Sequence, residues 1–157
     1  MKKLLLILLC LPIIGFGQNL AIGDNYQGGI IFYLDGNGSG LIAAATDVEK
    51  VEWTKAIDIC ENLILAGYSD WYLPSQEELY AMFATVSGLL DSQNYGLDDD
   101  EFDNSNPLEL IVGNEFYWTS EEKDSKVAFG VMNNSVWDID KKNLGYVRAI
   151  RAFKTID

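Results

Sequence analysis

Five carboxylates fall within six positions of this 157-residue chain: Asp98, Asp99, Asp100, Glu101 and Asp103. Such a run can supply several of the six to eight oxygens that Ca²⁺ takes, and calcium is the one cofactor the residues suggest. The spacing lacks the D-x-[DN]-x-[DN]-G pattern and distal Glu of an EF-hand. The same run reads equally as a solvated acidic loop. A second group is aromatic. Trp137 follows Asn133-Asn134-Ser135, and an exposed Trp beside amide side chains would offer a sugar ring a stacking face and hydrogen bonds. With Trp118, the residues Asn133, Asn134 and Trp137 form the ligand-binding candidates. The alternative is a turn, because Asn tolerates positive φ, followed by a core-facing Trp. A third group is Asp70-Trp71 in the aromatic-dense run Gly67 to Pro74. Its aromatics could stack on a ligand or pack in the core. Asp70 is expected to pair with Arg148 or Arg151, two cations in an otherwise apolar C-terminal run, since buried charges need partners. Asp70, Trp71, Pro74, Arg148 and Arg151 are therefore read as a structural motif.

Other chemistries are excluded by composition. The chain has no histidine and two cysteines, Cys10 and Cys60. Zinc sites of Cys and His and triads with a His base are thereby ruled out. Cys60 lies in an apolar stripe at helical spacing, where a thiol behaves as a small hydrophobe. No nucleophile motif or phosphate-binding glycine loop stands out, and Gly36 to Gly40 reads as a hairpin turn. Carboxylate pairs of the kind glycoside hydrolases use arise by chance among twenty-four acids. The expectation is a protein that is not an enzyme.

The elements that would position these groups can be read from periodicity. Ile30 to Leu34 and Leu41 to Ala45 flank the glycine-rich turn as a hairpin. Trp53, Ala56, Ile57, Cys60, Leu63 and Ile64 recur at helical spacing over 53–66, with Gly67 as the stop. Ser75 opens a second helix; Ser75 and Glu78 have the spacing of a capping box, and Leu79, Met82, Phe83 and Val86 make its apolar stripe. Residues 91–114 read as a long surface excursion. Phe116 to Thr119 is a strand candidate, Val127 to Met132 and Val136 to Ile139 a hairpin around Asn133-Asn134-Ser135, and Tyr146 to Phe153 a final strand.

The N-terminus has the form of a secretory signal. Lys2 and Lys3 precede an apolar run from Leu4 to Ile14, and Gly15 and Gly17 place small residues at −3 and −1 before Gln18. Residues 1–17 are expected to be removed, leaving 18–157 as one domain without stable membrane insertion. Cys10 would leave with the signal. The expected location is the cell surface, the periplasm or the extracellular space. Whole-chain charge is −13; without Lys2 and Lys3, nine basic residues face twenty-four acidic ones, a net −15. Such a chain repels nucleic acid but could bind neutral sugars, basic partners or divalent cations.

A family resemblance rests on four blocks. Ile22-Gly23-Asp24-Asn25-Tyr26-Gln27-Gly28-Gly29-Ile30-Ile31-Phe32-Tyr33 resembles the opening of the family of the C-terminal domain of the bacterial collagen-like adhesin Lcl. Gly67 to Ser75 with Glu77, Glu78 and Leu79 is similar to its central signature, and Tyr117 to Glu121 and Val147 to Arg151 to its later blocks. The resemblance implies an α+β, C-type-lectin-like fold: two helices packed on short antiparallel sheets, with N- and C-terminal strands paired. It implies a recognition or adhesion module for a glycan or surface protein, or else a structural subunit of a surface assembly. The chain departs from that adhesin in three ways. There is no Gly-X-Y stalk, the acidity disfavours sulfated glycans, and the Glu-Pro-Asn, Gln-Pro-Asp and Trp-Asn-Asp elements of a lectin calcium site are missing. Some relatives carry a Cys near the last strand that could partner the helix Cys; Ala149 and Ala152 stand there, so Cys60 is expected to be unpaired.

Overall fold

A computed structural model of the chain describes residues 20–86, 108 and 115–155. Along the chain run β1 (Asn25–Tyr26), β2 (Gly29–Leu34), β3 (Ser39–Ala44), β4 (Lys50–Val51), α1 (Trp53–Glu61), α2 (Gln76–Val86), β5 (Tyr117–Glu122), β6 (Val127–Met132), β7 (Ser135–Asp140), β8 (Gly145–Tyr146) and β9 (Ile150–Lys154). The fold class is α+β. One sheet has the order β1-β2-β3-β9, the other β4-β8-β5-β6-β7. Described pairings are antiparallel except the short β5–β8 contact.

The first hairpin forms where it was expected. Its turn is held by the Asp35 carboxylate, which accepts the N–H groups of Asn37 at 2.7 Å and Ser39 at 2.9 Å. Those bonds favour the charged form, so the Asp35 pKa lies below the usual carboxylate value, the Asn37 N–H contributing most. Ile30 and Phe32 face a core shared with Leu79, Met82 and Phe83 of α2. Ile31 points to the opposite face, beside Ile42 and Phe153. That two-sided burial explains why the run is continuously apolar rather than alternating. The C-terminal strand β9 pairs with β3, so the two ends of the described chain share one sheet. At Gly40 a Cβ would lie 2.8 Å from the Phe153 ring, which therefore crosses bare backbone.

Both helices are present, and the first is shorter than its pattern. Trp53, Ala56 and Cys60 are buried, but the helix stops at Glu61 and Ile64 is 74 % exposed. Beyond it, Leu65 and Tyr68 exchange backbone hydrogen bonds at 3.0 Å across Ala66 and Gly67, both at positive φ. This tight turn replaces the last helical turn that periodicity suggested. Gly28 passes beneath it: a Cβ there would stand 2.4 Å from that of Ala66. The second helix has the expected capping box. Ser75 Oγ accepts the Glu78 N–H at 3.2 Å, and the Glu78 carboxylate accepts the Ser75 N–H at 2.8 Å. A second Glu78 oxygen accepts the Tyr72 hydroxyl at 2.7 Å.

The expected single C-terminal strand from Tyr146 to Phe153 is two. β8 belongs to the second sheet and β9 to the first. Between them Val147, Arg148 and Ala149 are all buried. Their carbonyls at 147 and 149 accept Val48 N–H at 2.9 Å and Ala44 N–H at 2.8 Å. One apolar run thus crosses from sheet to sheet, with a cation in its middle. Among the described residues no helix is long and apolar enough to cross a membrane.

Candidate functional site

Arg148 sits at that crossing with its side chain 1 % exposed. Nε donates to Asp47 Oδ1 at 2.7 Å. Nη1 donates to the carbonyls of Leu108, Ala44 and Ala45 at 2.8, 3.0 and 3.3 Å. The other Asp47 oxygen accepts the Tyr117 hydroxyl at 2.9 Å. The cation is therefore satisfied by one carboxylate and three carbonyls, the condition under which a buried charge is tolerated. It joins the loop after β3, the start of β5 and Leu108. Sequence reasoning identified Arg148 and missed Asp47 and Tyr117. Asp47 lies in a short polar loop with no motif around it, so no local signal could have found it.

Arg151, on β9, takes the partner expected for one of the two arginines. Nε and Nη2 reach Asp70 Oδ1 and Oδ2 at 2.7 and 2.9 Å, a two-pronged pairing. Nη1 donates to Gln27 Oε1, and the guanidinium lies 3.9 Å from the centre of the Tyr68 ring. The Asp70 side chain is 59 % exposed. Its pKa is lowered chiefly by the Arg151 hydrogen bonds. The arrangement ties the opening block of the sequence, the central connector and the last strand together. Trp71 beside it is 2 % exposed, in the core with Trp53, Leu73 and Trp118, and its Nε1 meets no acceptor among the described residues. Pro74 is buried and its carbonyl accepts the Ser120 N–H at 2.8 Å. Every charged group here is occupied by structure.

The ligand-binding candidates separate. Trp118 is corrected: its ring is fully buried, Nε1 donates to Val51 O at 2.8 Å, and Phe116 packs edge-on at 4.9 Å. A Cβ at Gly145 would stand 2.2 Å from Phe116 and 2.8 Å from Trp118 Nε1. The ring has no face to offer a ligand. Asn133 and Asn134 form the two-residue turn of the β6–β7 hairpin at φ 48° and 56°. Positive φ at both central residues matches a type I′ hairpin turn. Trp137 is not core-facing. It is 51 % exposed, on β7 opposite Gly130, the last strand of the sheet among the described residues. Trp53, Trp71 and Trp118, by contrast, are each 7 % exposed or less. Close by, Lys123 pairs with Asp138 and Lys141 with Glu122; the latter ammonium lies 4.4 Å from the Trp53 ring centre.

Asp98, Asp99, Asp100, Glu101 and Asp103 lie outside the described residues, as do residues 1–17. Among the described residues no group of three or more Cys, Asp or Glu side chains is arranged to hold a metal ion. Cys60 is a free, buried thiol, its pKa pushed up to about 12 by burial, with Glu61 adding to the effect. A thiol kept protonated in this way is a poor nucleophile near neutral pH.

Comparison with curated proteins gives no match. The family model described as the Lcl C-terminal domain matches residues 36–151. That span takes in β3, both helices, the Asp70–Arg151 pair and the Arg148 crossing, and the chain belongs to the Lcl C-terminal domain family.

Proposed function

We propose that the chain is an exported, non-enzymatic recognition module of the cell envelope that binds a neutral glycan, with Trp137 as its stacking face. Family membership supports an adhesin-like surface domain. The observation that carries the finer reading is the half-exposed Trp137 on β7, next to a turn whose two Asn side chains are exposed. An aromatic ring left in water costs free energy, and pairing with the apolar face of a sugar ring would recover it. The amide of Asn134 would add hydrogen bonds at the ring edge. The charge of −13 argues for an uncharged sugar over a sulfated one, and against nucleic acid. The signal-like residues 1–17 support export, and the C-type-lectin-like reading of the fold agrees with this role.

A glycan-array screen of residues 18–157, with and without Ca²⁺, tests the proposal. Selective binding to neutral glycans that Trp137→Ala abolishes would support it. Calcium dependence would bring in the Asp98–Asp103 loop. A blank array in both conditions would overturn the glycan reading in favour of a protein partner or a structural role. That β7 ends its sheet among the described residues is the observation that favours that second reading.

A further inference from the structure

We infer that Asn37 is a self-modification site: the Gly38 backbone nitrogen closes on the Asn37 side-chain amide, expels ammonia and leaves an isoaspartyl link that unties the tip of the first hairpin from the end of β9. Asn37 is the one asparagine of the chain that a glycine follows. Glycine has no Cβ to hinder the ring closure and turns freely about its backbone. Both reacting residues are exposed at the tip of the β2–β3 hairpin.

The hydrogen bonding at the tip leaves the reacting atoms available. The Asp35 carboxylate takes the N–H groups of Asn37 and Ser39 at 2.7 and 2.9 Å. The Ser39 carbonyl takes the Asp35 N–H at 2.9 Å. The Gly38 N–H between them meets no acceptor among the described residues. The Asn37 amide makes one long contact, Nδ2 to the Asp35 carbonyl at 3.4 Å, too weak to hold it. Asn62 is the opposite case. Its Nδ2 donates to Asp58 O at 2.7 Å, and the N–H of the following Leu63 donates to Cys60 O at 3.1 Å. Asn134 precedes Ser135, which is paired with Met132 in the β6–β7 ladder. The tip also has room to rearrange. A Cβ at Gly36 would meet nothing within 4 Å, and a cavity of about 290 Å³ opens beside Gly36, Gly38, Phe153 and Thr155.

Water is the only co-reactant. The Gly38 nitrogen gives up its proton to solvent base and bonds to Asn37 Cγ. The Cγ–Nδ2 bond breaks, and Nδ2 takes a proton from solvent and leaves as ammonia. One water then opens the cyclic imide. Opening at the main-chain carbonyl frees a carboxylate and leaves Gly38 attached through Cγ, so the main chain gains the Asn37 methylene. The Gly38 carbonyl is what the tip uses to hold β9: it accepts the Thr155 N–H at 2.7 Å and the Thr155 hydroxyl at 2.9 Å. The fit is close, since a Cβ at Gly38 would stand 2.4 Å from Thr155 Oγ1. A main chain lengthened immediately before Gly38 moves that carbonyl and releases both bonds. The new carboxylate also adds a negative charge beside Asp35.

The protein, purified as the expressing cell processes it, is incubated at mildly alkaline pH and followed by peptide mass spectrometry that distinguishes aspartyl from isoaspartyl products. The expected result is an isoaspartyl product at position 37, formed ahead of conversion at any other described asparagine and faster as pH rises. Asn37→Gln keeps an amide at the tip but would have to close a larger ring, and it should abolish the product. Conversion of Asn62 or Asn134 before Asn37 would overturn the inference. So would an exclusively aspartyl product, which direct hydrolysis gives without the ring. Anion exchange separates the converted chain by its added charge. In that fraction hydrogen exchange at the Thr155 N–H should speed up about tenfold, the loss of one hydrogen bond, while Asn37→Asp, which adds the charge without lengthening the chain, should retain the parent protection. Equal protection of Thr155 before and after conversion would overturn the link to β9.

Discussion

Arg148 and Arg151 stand three residues apart on the same C-terminal run, and the fold uses them in opposite ways. Arg148 is enclosed where the chain passes from one sheet to the other, bonded to Asp47 and three carbonyls. Arg151 is nearly as buried, its side chain 7 % exposed, but it is stacked on Tyr68 and held by a carboxylate that is 59 % exposed. Identical buried cations thus form a sealed junction in one place and a clamp to a solvent-facing carboxylate in the other. Desolvation of the partner, more than the geometry of the pair, decides what each is worth.

The comparison can be broken most directly at Asp47. Asp47→Ala should cost about 3–5 kcal/mol, because it strands a buried cation and leaves the Tyr117 hydroxyl without its acceptor. Urea unfolding measures this. A cost near 1 kcal/mol would mean that the junction is wetter than its burial implies. Asp70→Asn should cost less, about 1–2 kcal/mol, since water can take over part of the carboxylate's role. An unchanged melting temperature would remove the clamp from the list of interactions that hold the fold.

Acid sharpens the contrast. The folded-state pKa of Asp70 is depressed below the usual 3.8. Its contribution is therefore complete above that value and is lost as pH falls through the lower, folded one. The stability gap between the parent and Asp70→Asn should be constant at neutral pH and shrink on acidification below about 4. A gap that grows in acid would contradict the assigned pairing.

Smaller effects separate core from surface in the same way. Cys60, with its thiol at about 12, should react with a thiol reagent at mildly alkaline pH only as fast as the protein unfolds. Immediate labelling of the native chain would show that α1 opens locally. Trp137→Ala should shift stability by no more than about 0.5 kcal/mol, because half the ring is already in water.

Local features were readable wherever neighbours in sequence are also neighbours in space. The Ser75–Glu78 box, the two hairpins and the Asn133-Asn134 turn each depend on contacts within a few residues, and each formed as read. The end of α1 was misread because Leu63 and Ile64 continue the helical spacing, while the Leu65–Tyr68 turn that interrupts it is docked over Gly28. The Tyr146–Phe153 run was misread as one strand because a chain buried on both sides in two different sheets has the same apolar signature as a single strand. Among the candidate ligand residues, Trp118 and Trp137 look alike in sequence. One is buried and the other half-exposed because β5 lies inside its sheet and β7, among the described residues, is its last strand.

By itself the sequence determined the α+β class, the family, the strong net acidity, and the need of two C-terminal arginines for partners. These follow from composition, local periodicity and short motifs. Which arginine met Asp70, that Asp47 would serve the other, and that Trp137 alone of the described tryptophans would face water were decided by tertiary structure. The reason is that pairing and burial are set by the order of strands in the two sheets, and strand order is a long-range property that no short window of residues encodes.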